Sequence, residues 1–429
     1  MTDTYFPRRG NEGYLVETYD LTLDYRVGPN RLAAVAVLTV WTTQALTSLV
    51  LDLADLRVDR VILQDGRRLR FEHQKEKLRI RLPGLVPAGH QLVLEIVYRG
   101  SPRPTSSRYG GLGWEQLDDG VLVASQPTGA PSWFPCDDRP DRKSAYRFTI
   151  TTASQYQVVT NGRLAGVAHS GSTSTWSYVQ DAPMATYLAT VQIGPYQRHE
   201  LPGAVPQRLV APARRMTAAR EALAHQDAMI TLFTDLFGPY PFDDAYTVVV
   251  TDDRLEIPIE AQGMSLFGAN HMDLEWANQR LIAHELAHQW FGNSLTLGSW
   301  RDIWLHEGFA CYSEWLWSQA SGYRDTDEQA RTWHHRLKQQ PEDLILANPG
   351  PANLFDDRVY KRGALTLHAL RRSVGDEAFF NTLRTWTAEY RHGTVTTDGF
   401  LKTVATVTGR DLSTFFAEWL WDERLPQLP

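Results

Sequence analysis

The chain has 429 residues, of which 43% are apolar and 22% are charged, and its formal net charge is −7 at pH 7. This composition is typical of a soluble globular protein of two or three domains. The mildly acidic balance gives no electrostatic reason to expect binding to nucleic acid or to an anionic membrane. The two cysteines, Cys136 and Cys311, are too few for a disulfide-rich framework. Two buried thiols in a reducing compartment fit this count better than one disulfide.

The N-terminal segment, residues 1–20, contains no apolar stretch of the kind that secretory signal peptides carry. The longest apolar run lies near residues 31–41. It is too short to cross a bilayer, which takes about 20 residues, and it predicts a buried strand instead. We therefore expect a cytoplasmic protein.

The first half of the chain predicts β structure. Polar and apolar residues alternate in several short segments that are separated by Gly, Pro, Asp and Asn turns. Many short strands with turns at this spacing favour a sandwich or a saddle-shaped open sheet. The predicted strands cover 17–27, 77–84, 91–100, 146–153 and 187–196.

The pattern changes near residue 200. A proline-containing stretch, 201–213, predicts little beyond a last strand near 207–211, and the segment 214–238 has helical spacing that ends at Gly238. One more strand is expected over 247–253.

After residue 274 nearly every segment carries apolar residues at i, i+3 and i+4, which predicts helices. The sequence thus predicts an α+β protein with a β-rich domain over 1–200 and a mainly helical domain over 201–429. A cleft between two such domains is a favoured place for a ligand.

Residues 284–290, HELAHQW, contain the pattern that carries the chemistry. On a helix His284 and His288 share a face about one turn apart, so both imidazoles can reach one cation at about 2.0–2.1 Å. Glu285 points about 100° away and can contact a water bound to that cation, as metal-activated hydrolysis requires. A solvated surface helix is the alternative. The segment is otherwise apolar and aromatic, however, and burying three polar side chains without a partner would be costly.

A catalytic zinc site typically has three protein ligands and one open position. Glu307 of WLHEGFA, nineteen positions after His288, is the expected third ligand from a neighbouring helix. His306 is the adjacent alternative, but its imidazole points elsewhere if Glu307 faces the metal, so we expect it to line the cleft or pack in the core. Glu314 shares the helical face of Glu307 and is a candidate partner for a zinc-bound histidine, with an ordinary structural charge as the alternative.

HELAHQWFGN followed by WLHEGFA at this separation resembles the M1 family of zinc aminopeptidases, whose pattern is HExxH-x18-E. The resemblance covers nearly the whole chain, since residues 11–25, 133–150, 359–371 and 409–420 are similar to further family segments in the same order. It implies an N-terminal β-rich domain followed by a thermolysin-like zinc catalytic domain. Many members continue with a large helical domain that caps the cleft. Because this chain ends at Pro429, we expect a short form with a more open cleft, or one closed by another subunit.

The resemblance also implies roles for individual residues. One zinc ion per chain would be held by His284, His288 and Glu307, with Glu285 as the general base. Tyr360 of VYKRGA matches the family tyrosine that stabilises the developing oxyanion, whereas a lone tyrosine would ordinarily be assigned to packing.

Two further positions are implied to bind the free α-amine of a substrate. Glu260 in IPIEAQGM matches the glutamate of the family's G-x-M-E-N motif, although Ile257, Ile259 and Ala261 depart from the other motif positions. The missing Asn side chain is expected to change how a substrate is positioned. Gln126 stands where a second amine contact is found, and its neutral amide would give one weaker hydrogen bond. A solvated loop charge is the alternative for Glu260.

A zinc aminopeptidase that acts on peptides with a free N-terminus is therefore the leading hypothesis. A thermolysin-like zinc endopeptidase would share the metal site without needing Glu260 or Gln126. A catalytically silent, zinc-containing peptide-binding protein is the third hypothesis, and such a protein would be expected to have lost Glu285 or Tyr360.

Overall fold

The N-terminal part of the chain is almost entirely β structure. The computed structural model describes residues 3–429. The strands of this part are β1 (Tyr14–Arg26), β2 (Arg31–Thr42), β3 (Leu46–Asp52), β4 (Arg57–Leu63), β5 (Phe71–Gln74), β6 (Lys77–Val86), β7 (Gln91–Gly100), β8 (Thr105–Ser107), β9 (Gly110–Leu117), β10 (Gly120–Ala124), β11 (Lys143–Ala153), β12 (Gln157–Thr160), β13 (Arg163–Ser170), β14 (Thr173–Ala185) and β15 (Val191–Gly194).

These strands form three sheets, with the orders β13-β14-β11-β1-β2-β7-β4, β12-β15-β10-β9-β8 and β3-β6-β5. In the largest sheet β1 pairs in parallel with β11 and antiparallel with β2. Side chains of β1 and β11 alternate between buried and more exposed positions, as expected for strands with one face on a core. Trp133 and Phe134 pack into this core, and the Phe134 ring lies 5.4 Å from that of Tyr19.

The second part of the chain combines a small sheet with a set of helices. Its sheet has the order β16-β17-β18-β20-β19, in which β17, β18 and β20 are parallel and β19 is an antiparallel edge strand. The strands are β16 (Tyr196–Leu201), β17 (Gln207–Pro212), β18 (Tyr246–Val250), β19 (Ile259–Ala261) and β20 (Met264–Phe267), and a separate pair is formed by β21 (Thr296–Leu297) and β22 (Thr394–Val395).

The helices of this part form the body on which the cleft is built. They are α1 (Met216–Ala222), α2 (Gln226–Phe237), α3 (Trp276–Ala287), α4 (Trp304–Ala320), α5 (Thr326–Leu337), α6 (Asp357–Val374), α7 (Asp376–Glu389), α8 (Thr397–Thr408) and α9 (Ser413–Phe416). The predicted α+β class, with β structure first and helices second, is confirmed.

Two local predictions differ from the structure. The single helix expected over 214–238 is two helices, because the chain turns at 223–225 and directs the buried amide of Gln226 to Gln207 at 2.7 Å. The strand expected over 187–196 is divided between two sheets. Pro195 has no N–H to donate to a ladder, and it separates β15 from β16.

The two parts of the chain are joined by polar contacts around helix α3. Lys143 at the start of β11 donates from Nζ to the carbonyl oxygens of Asn293 at 3.0 Å and Ser294 at 2.8 Å, in the loop that follows α3. The Tyr187 hydroxyl donates to the carbonyl oxygen of Gly292 at 3.3 Å. These bonds hold the β-rich part against the loop that ends the HELAHQW segment.

Two further sequence-based expectations concern the chain as a whole. Cys136 and Cys311 are both buried and free, as the cysteine count predicts. Over residues 3–429 no helix has the length and apolar character needed to cross a membrane. The domain boundary at residue 200 stays a prediction, and β16 runs across it.

Candidate active site

Helices α3 and α4 bring two histidines and a glutamate to one point. The Nε2 atom of His284 lies 3.4 Å from Oε2 of Glu307, and Nε2 of His288 lies 3.6 Å from the same oxygen. Ligands held about 2.0–2.2 Å from a tetrahedral ion lie about 3.3–3.5 Å from one another. The three donor atoms therefore have nearly the spacing that one zinc ion requires. All three side chains are buried.

The other ring nitrogen of each histidine already has a partner. His284 donates from Nδ1 to Oε1 of Glu314 at 2.8 Å, and His288 donates from Nδ1 to the carbonyl oxygen of Phe291 at 3.0 Å. A carbonyl oxygen only accepts, so the His288 proton is assigned to Nδ1 by the hydrogen-bond network. This leaves the Nε2 lone pairs directed toward Glu307. The donor set of two imidazoles and one carboxylate, oriented in this way, fits zinc.

Glu314 is the buried carboxylate behind His284. Burial alone would raise its pKa, but the charges of Lys361, Arg280 and His284 outweigh burial and lower that pKa to about 2. Its second oxygen, Oε2, accepts from Arg280 Nη1 at 3.1 Å. Glu314 therefore stays a carboxylate and fixes the orientation of the His284 ring.

Two more carboxyl groups flank His288. Ligand atoms of Glu260, Glu285 and His288 all lie within 4.8 Å of one another. Burial raises the pKa of Glu285 well above its ordinary range, with Glu260 and Glu307 adding to the rise and His284 opposing it. Burial likewise raises the pKa of Glu260. A carboxyl group in such surroundings takes up a proton readily, which is the property of a general base.

Tyr360 faces the same point from helix α6. Its ring stacks against the His284 imidazole with the two centroids 6.0 Å apart. Burial and the nearby charges of Glu307, Glu260 and Glu285 raise the pKa of Tyr360 well above its ordinary value. The phenol therefore keeps its proton and is available as a hydrogen-bond donor.

A glycine-to-glycine contact sets the distance between α4 and α6. A Cβ atom added to Gly308 would lie 2.8 Å from the Cα atom of Gly363, and a Cβ on Gly363 would lie 2.6 Å from the Cα atom of Gly308. Only glycine allows backbones to approach this closely. Gly308 directly follows Glu307, and Gly363 comes three positions after Tyr360, so the contact holds these two functional side chains at one site.

The eight site residues predicted from the sequence line one cavity of about 530 Å³. It is formed by both parts of the chain, and Tyr109, Leu112 and Gln126 come from the β-rich part. The Gln126 Nε2 atom is buried without a hydrogen-bond partner among residues 3–429. The predicted residues in this cavity are Gln126, Glu260, His284, Glu285, His288, Glu307, Glu314 and Tyr360.

Sequence reasoning did not single out several residues of this region. Arg280 and Lys361 also line the cavity. Arg280 precedes His284 by four positions, so helical periodicity alone would have placed it on the same face. His306, the alternative third ligand, is fully buried and is not among the residues that line the cavity.

Comparison with known proteins places this geometry in a family. Residues 221–419 match the Peptidase family M1 domain, and residues 16–188 match the Peptidase M1 N-terminal domain. The chain belongs to peptidase family M1. The M1 fold is found over the whole chain in a crystal structure of an M1 zinc metallopeptidase from Deinococcus radiodurans, which is 30% identical with a TM-score of 0.91. That match covers 100% of this chain and 98% of the other.

Curated M1 relatives are longer. Leucyl aminopeptidase from Saccharolobus solfataricus is 21% identical over 409 residues, which cover 89% of this chain and 50% of the relative. Aminopeptidase N from Streptomyces lividans is 25% identical over 386 residues, which cover 80% of this chain and 42% of the relative. The chain thus spans about half the length of the curated relatives that it matches.

Proposed function

We propose that this chain is a zinc aminopeptidase that hydrolyses the first peptide bond of peptides with a free N-terminus. The observation that carries the proposal is the cavity in which the His284, His288 and Glu307 donor atoms lie beside Glu260 and Gln126. A metal-ligand set alone would suit any zinc peptidase. A carboxylate and an amide next to it favour recognition of an ammonium group at the end of a peptide.

We assign one zinc ion per chain to His284, His288 and Glu307. When bound, zinc supplies Lewis-acid chemistry and makes water more acidic. Glu314 would keep the His284 ring in place through its 2.8 Å hydrogen bond, and the Phe291 carbonyl oxygen would do the same for His288 at 3.0 Å.

Glu285 is assigned as the general base. Its Oε2 atom is buried and has no hydrogen-bond partner among residues 3–429, so it is free to accept a proton from the attacking water. Its raised pKa favours holding that proton until it is passed to the leaving amine. General acid–base catalysis of this kind contributes typically about 10²–10⁴-fold to the rate.

Tyr360 is assigned to the oxyanion that develops on the scissile carbonyl. Its phenol is held protonated next to His284, and a preorganised donor is worth most where charge appears in the transition state. Glu260 would pair with the substrate ammonium, and Gln126 would accept one further hydrogen bond from it. An acetylated N-terminus carries no charge and would leave the Glu260 carboxylate without its partner.

Solved relatives support the choice of substrate class. The Deinococcus radiodurans enzyme has been crystallised with the peptide Tyr-Ser-Ala and with L-arginine and L-tryptophan. Both the peptide and the free amino acids carry an α-ammonium group. For this chain we therefore infer unblocked peptides as substrates.

The test compares an unblocked peptide with its N-acetylated form in the protein and in two variants. The unaltered protein should remove the first residue of the free peptide and leave the acetylated one intact. Glu260→Gln should lower kcat/KM on the free peptide about 10–100-fold, the value of one charge-assisted hydrogen bond of about 1.5–3 kcal/mol. Glu256→Gln is the matched control, because Glu256 lines the same cavity outside the cluster around His288, and it should change the rate less than threefold.

Equal cleavage of both peptides at an internal bond would replace this proposal with an endopeptidase. Zinc binding without cleavage of any unblocked peptide in a broad panel would replace it with a silent peptide-binding protein.

We further propose the cytoplasm as the compartment and residue 200 as the domain boundary. The two free, buried cysteines support a reducing compartment. The two family matches end at residue 188 and begin again at 221, which supports a boundary between these positions. Fractionation of cells that produce the protein from its own promoter tests the first proposal, and limited proteolysis between 188 and 221 tests the second.

A further inference from the structure

The cavity carries opposite charges on the two sides of the metal-ligand cluster. On one side Glu260 and Glu285 lie within 4.8 Å of His288. On the other side Arg280 and Lys361 line the wall near His284. We call these two residues the cationic end of the cleft.

Helix α3 gives the distances along this axis. It rises about 1.5 Å per residue, so the Arg280 backbone lies about 6 Å beyond that of His284, in the direction away from His288. An extended peptide spans about 3.3–3.6 Å per residue. A group on the substrate that meets Arg280 therefore lies one or two residues beyond the scissile bond, when the free amine is at Glu260.

The Arg280 guanidinium is only partly engaged by the protein. Its side chain is 35% exposed, and Nη1 donates to Glu314 Oε2 at 3.1 Å. Among residues 3–429 the guanidinium has no other hydrogen-bond partner, so Nε and Nη2 retain free donors. Glu314 itself is buried and cannot be reached by a ligand. An anion entering the cleft would therefore meet the guanidinium and not its carboxylate partner.

Lys361 supports this charge from behind. It is buried, with Nζ 3.4 Å from Cys311 Sγ and 4.6 Å from the centre of the Trp333 ring. Asp357, at 3.9 Å from Lys361, is 62% exposed at the rim, where solvent screens its charge. The accessible cation of this end is Arg280.

We propose that Arg280 binds a carboxylate of the leaving peptide, so that the cleft favours zwitterionic short peptides or peptides with an acidic residue soon after the cleaved bond. This inference rests on the proposed function, because that function sets the direction in which the peptide lies. The carboxylate has two sources, the C-terminus of a dipeptide or tripeptide and the side chain of Asp or Glu in the second or third position. Arginine suits either one, since its planar donors match a carboxylate.

The test measures binding and uses the zinc-loaded Glu285→Gln protein, which keeps the cavity shape and does not turn over its ligand. In the first arm the dissociation constants of Leu-Ala-Ala and its C-terminal amide are compared by calorimetry. In the second arm Leu-Glu-Ala-Ala-Ala amide is compared with the same peptide carrying Gln in the second position. We expect the carboxylate form to bind about tenfold more tightly in at least one arm, the lower limit for a hydrogen bond to a charged group.

Three further substitutions in the same background assign that ratio to Arg280. Arg280→Gln should bring the ratio to about one, and Arg280→Lys should keep part of it because a point charge remains. Arg324→Gln is the matched control. Arg324 is also 35% exposed and has one ion pair, with Glu328 at 3.2 Å, outside this cavity. It should leave the ratio unchanged.

The outcomes separate the sources and the alternatives. A ratio in the first arm identifies the C-terminus, and a ratio in the second identifies an acidic side chain. The inference is overturned if neither ratio exceeds about twofold, if none of the peptides binds at millimolar concentration, or if Arg280→Gln weakens both members of a pair equally, which is what a purely structural bond to Glu314 predicts. Failure of the proposed function is visible separately, as the lack of cleavage of free peptides by the unaltered protein.

Discussion

The contact between Gly308 and Gly363 leads to the most specific prediction about the architecture of the site. An alanine at position 363 would place its Cβ atom 2.6 Å from the Cα atom of Gly308. Non-bonded carbon atoms prefer separations of about 3.5–4.0 Å. Because the opposing atom is backbone, no side chain can rotate away, and helices α4 and α6 must separate by about 1 Å.

This separation would affect catalysis more than folding. Overpacking a core costs about 1–3 kcal/mol, which a large domain can tolerate. The displacement, however, moves Tyr360 on α6 away from Glu307 on α4. Misplacing a catalytic group by about 1 Å costs about 10²-fold in rate, and losing an oxyanion donor costs about 10²–10³-fold. We therefore expect Gly363→Ala to stay folded and to lose at least about 10²-fold in kcat.

The assay measures kcat on an amino-acid arylamide together with the thermal unfolding midpoint. Gly399→Ala in helix α8 is the matched control, because a Cβ there would meet its nearest atoms at 3.4 Å, an ordinary contact. It should keep full activity and gain slightly in stability from the better helix former. A folded Gly363→Ala protein with kcat within threefold of the unaltered protein would refute the reasoning.

Three other substitutions test separate parts of the site and of the β-rich part. Tyr360→Phe should lower kcat about 10²–10³-fold while zinc affinity stays constant, measured by steady-state kinetics and chelator competition; a kcat within fivefold would remove the tyrosine from catalysis. Glu314→Gln should weaken zinc binding about 10–100-fold, because an amide cannot accept from both His284 and Arg280, and an unchanged dissociation constant would contradict the positioning role. Asp138 has a pKa that burial raises to about 7. Such a carboxyl group stabilises the fold at low pH, and the contribution is lost as the pH rises from about 4 to about 7. Asp138→Asn should therefore gain roughly 1–4 kcal/mol of unfolding free energy, relative to the unaltered protein, between pH 5 and pH 8 in urea titrations, and a constant difference would exclude this linkage.

The sequence was most informative where the relevant geometry is local. Helical periodicity places His284 and His288 on one face of α3, and it places Glu307 and Glu314 on one face of α4. Alternating polarity likewise predicted the central strands of the largest sheet. In these segments each side chain's direction follows from its neighbours in the chain.

Features that depend on contacts between distant segments were not predicted. Lys143 donates to backbone carbonyl oxygens of residues 150 and 151 positions later, and backbone acceptors leave no trace in side-chain patterns. The contact between Gly308 and Gly363 depends on how two helices pack, although the glycines are visible in their motifs. Arg280 lies on the histidine face of α3, but only the cavity reveals that its guanidinium is accessible to a ligand.

The most direct test of the central claim is a zinc titration of the metal-free protein with an unblocked peptide and its N-acetylated form present. Products are identified by mass spectrometry. Release of the first residue should begin only when zinc is added, increase in proportion to zinc up to one equivalent per chain, and occur on the unblocked peptide alone. Release without zinc, cleavage at internal bonds, or equal reaction of the acetylated peptide would contradict a zinc aminopeptidase built on His284, His288 and Glu307.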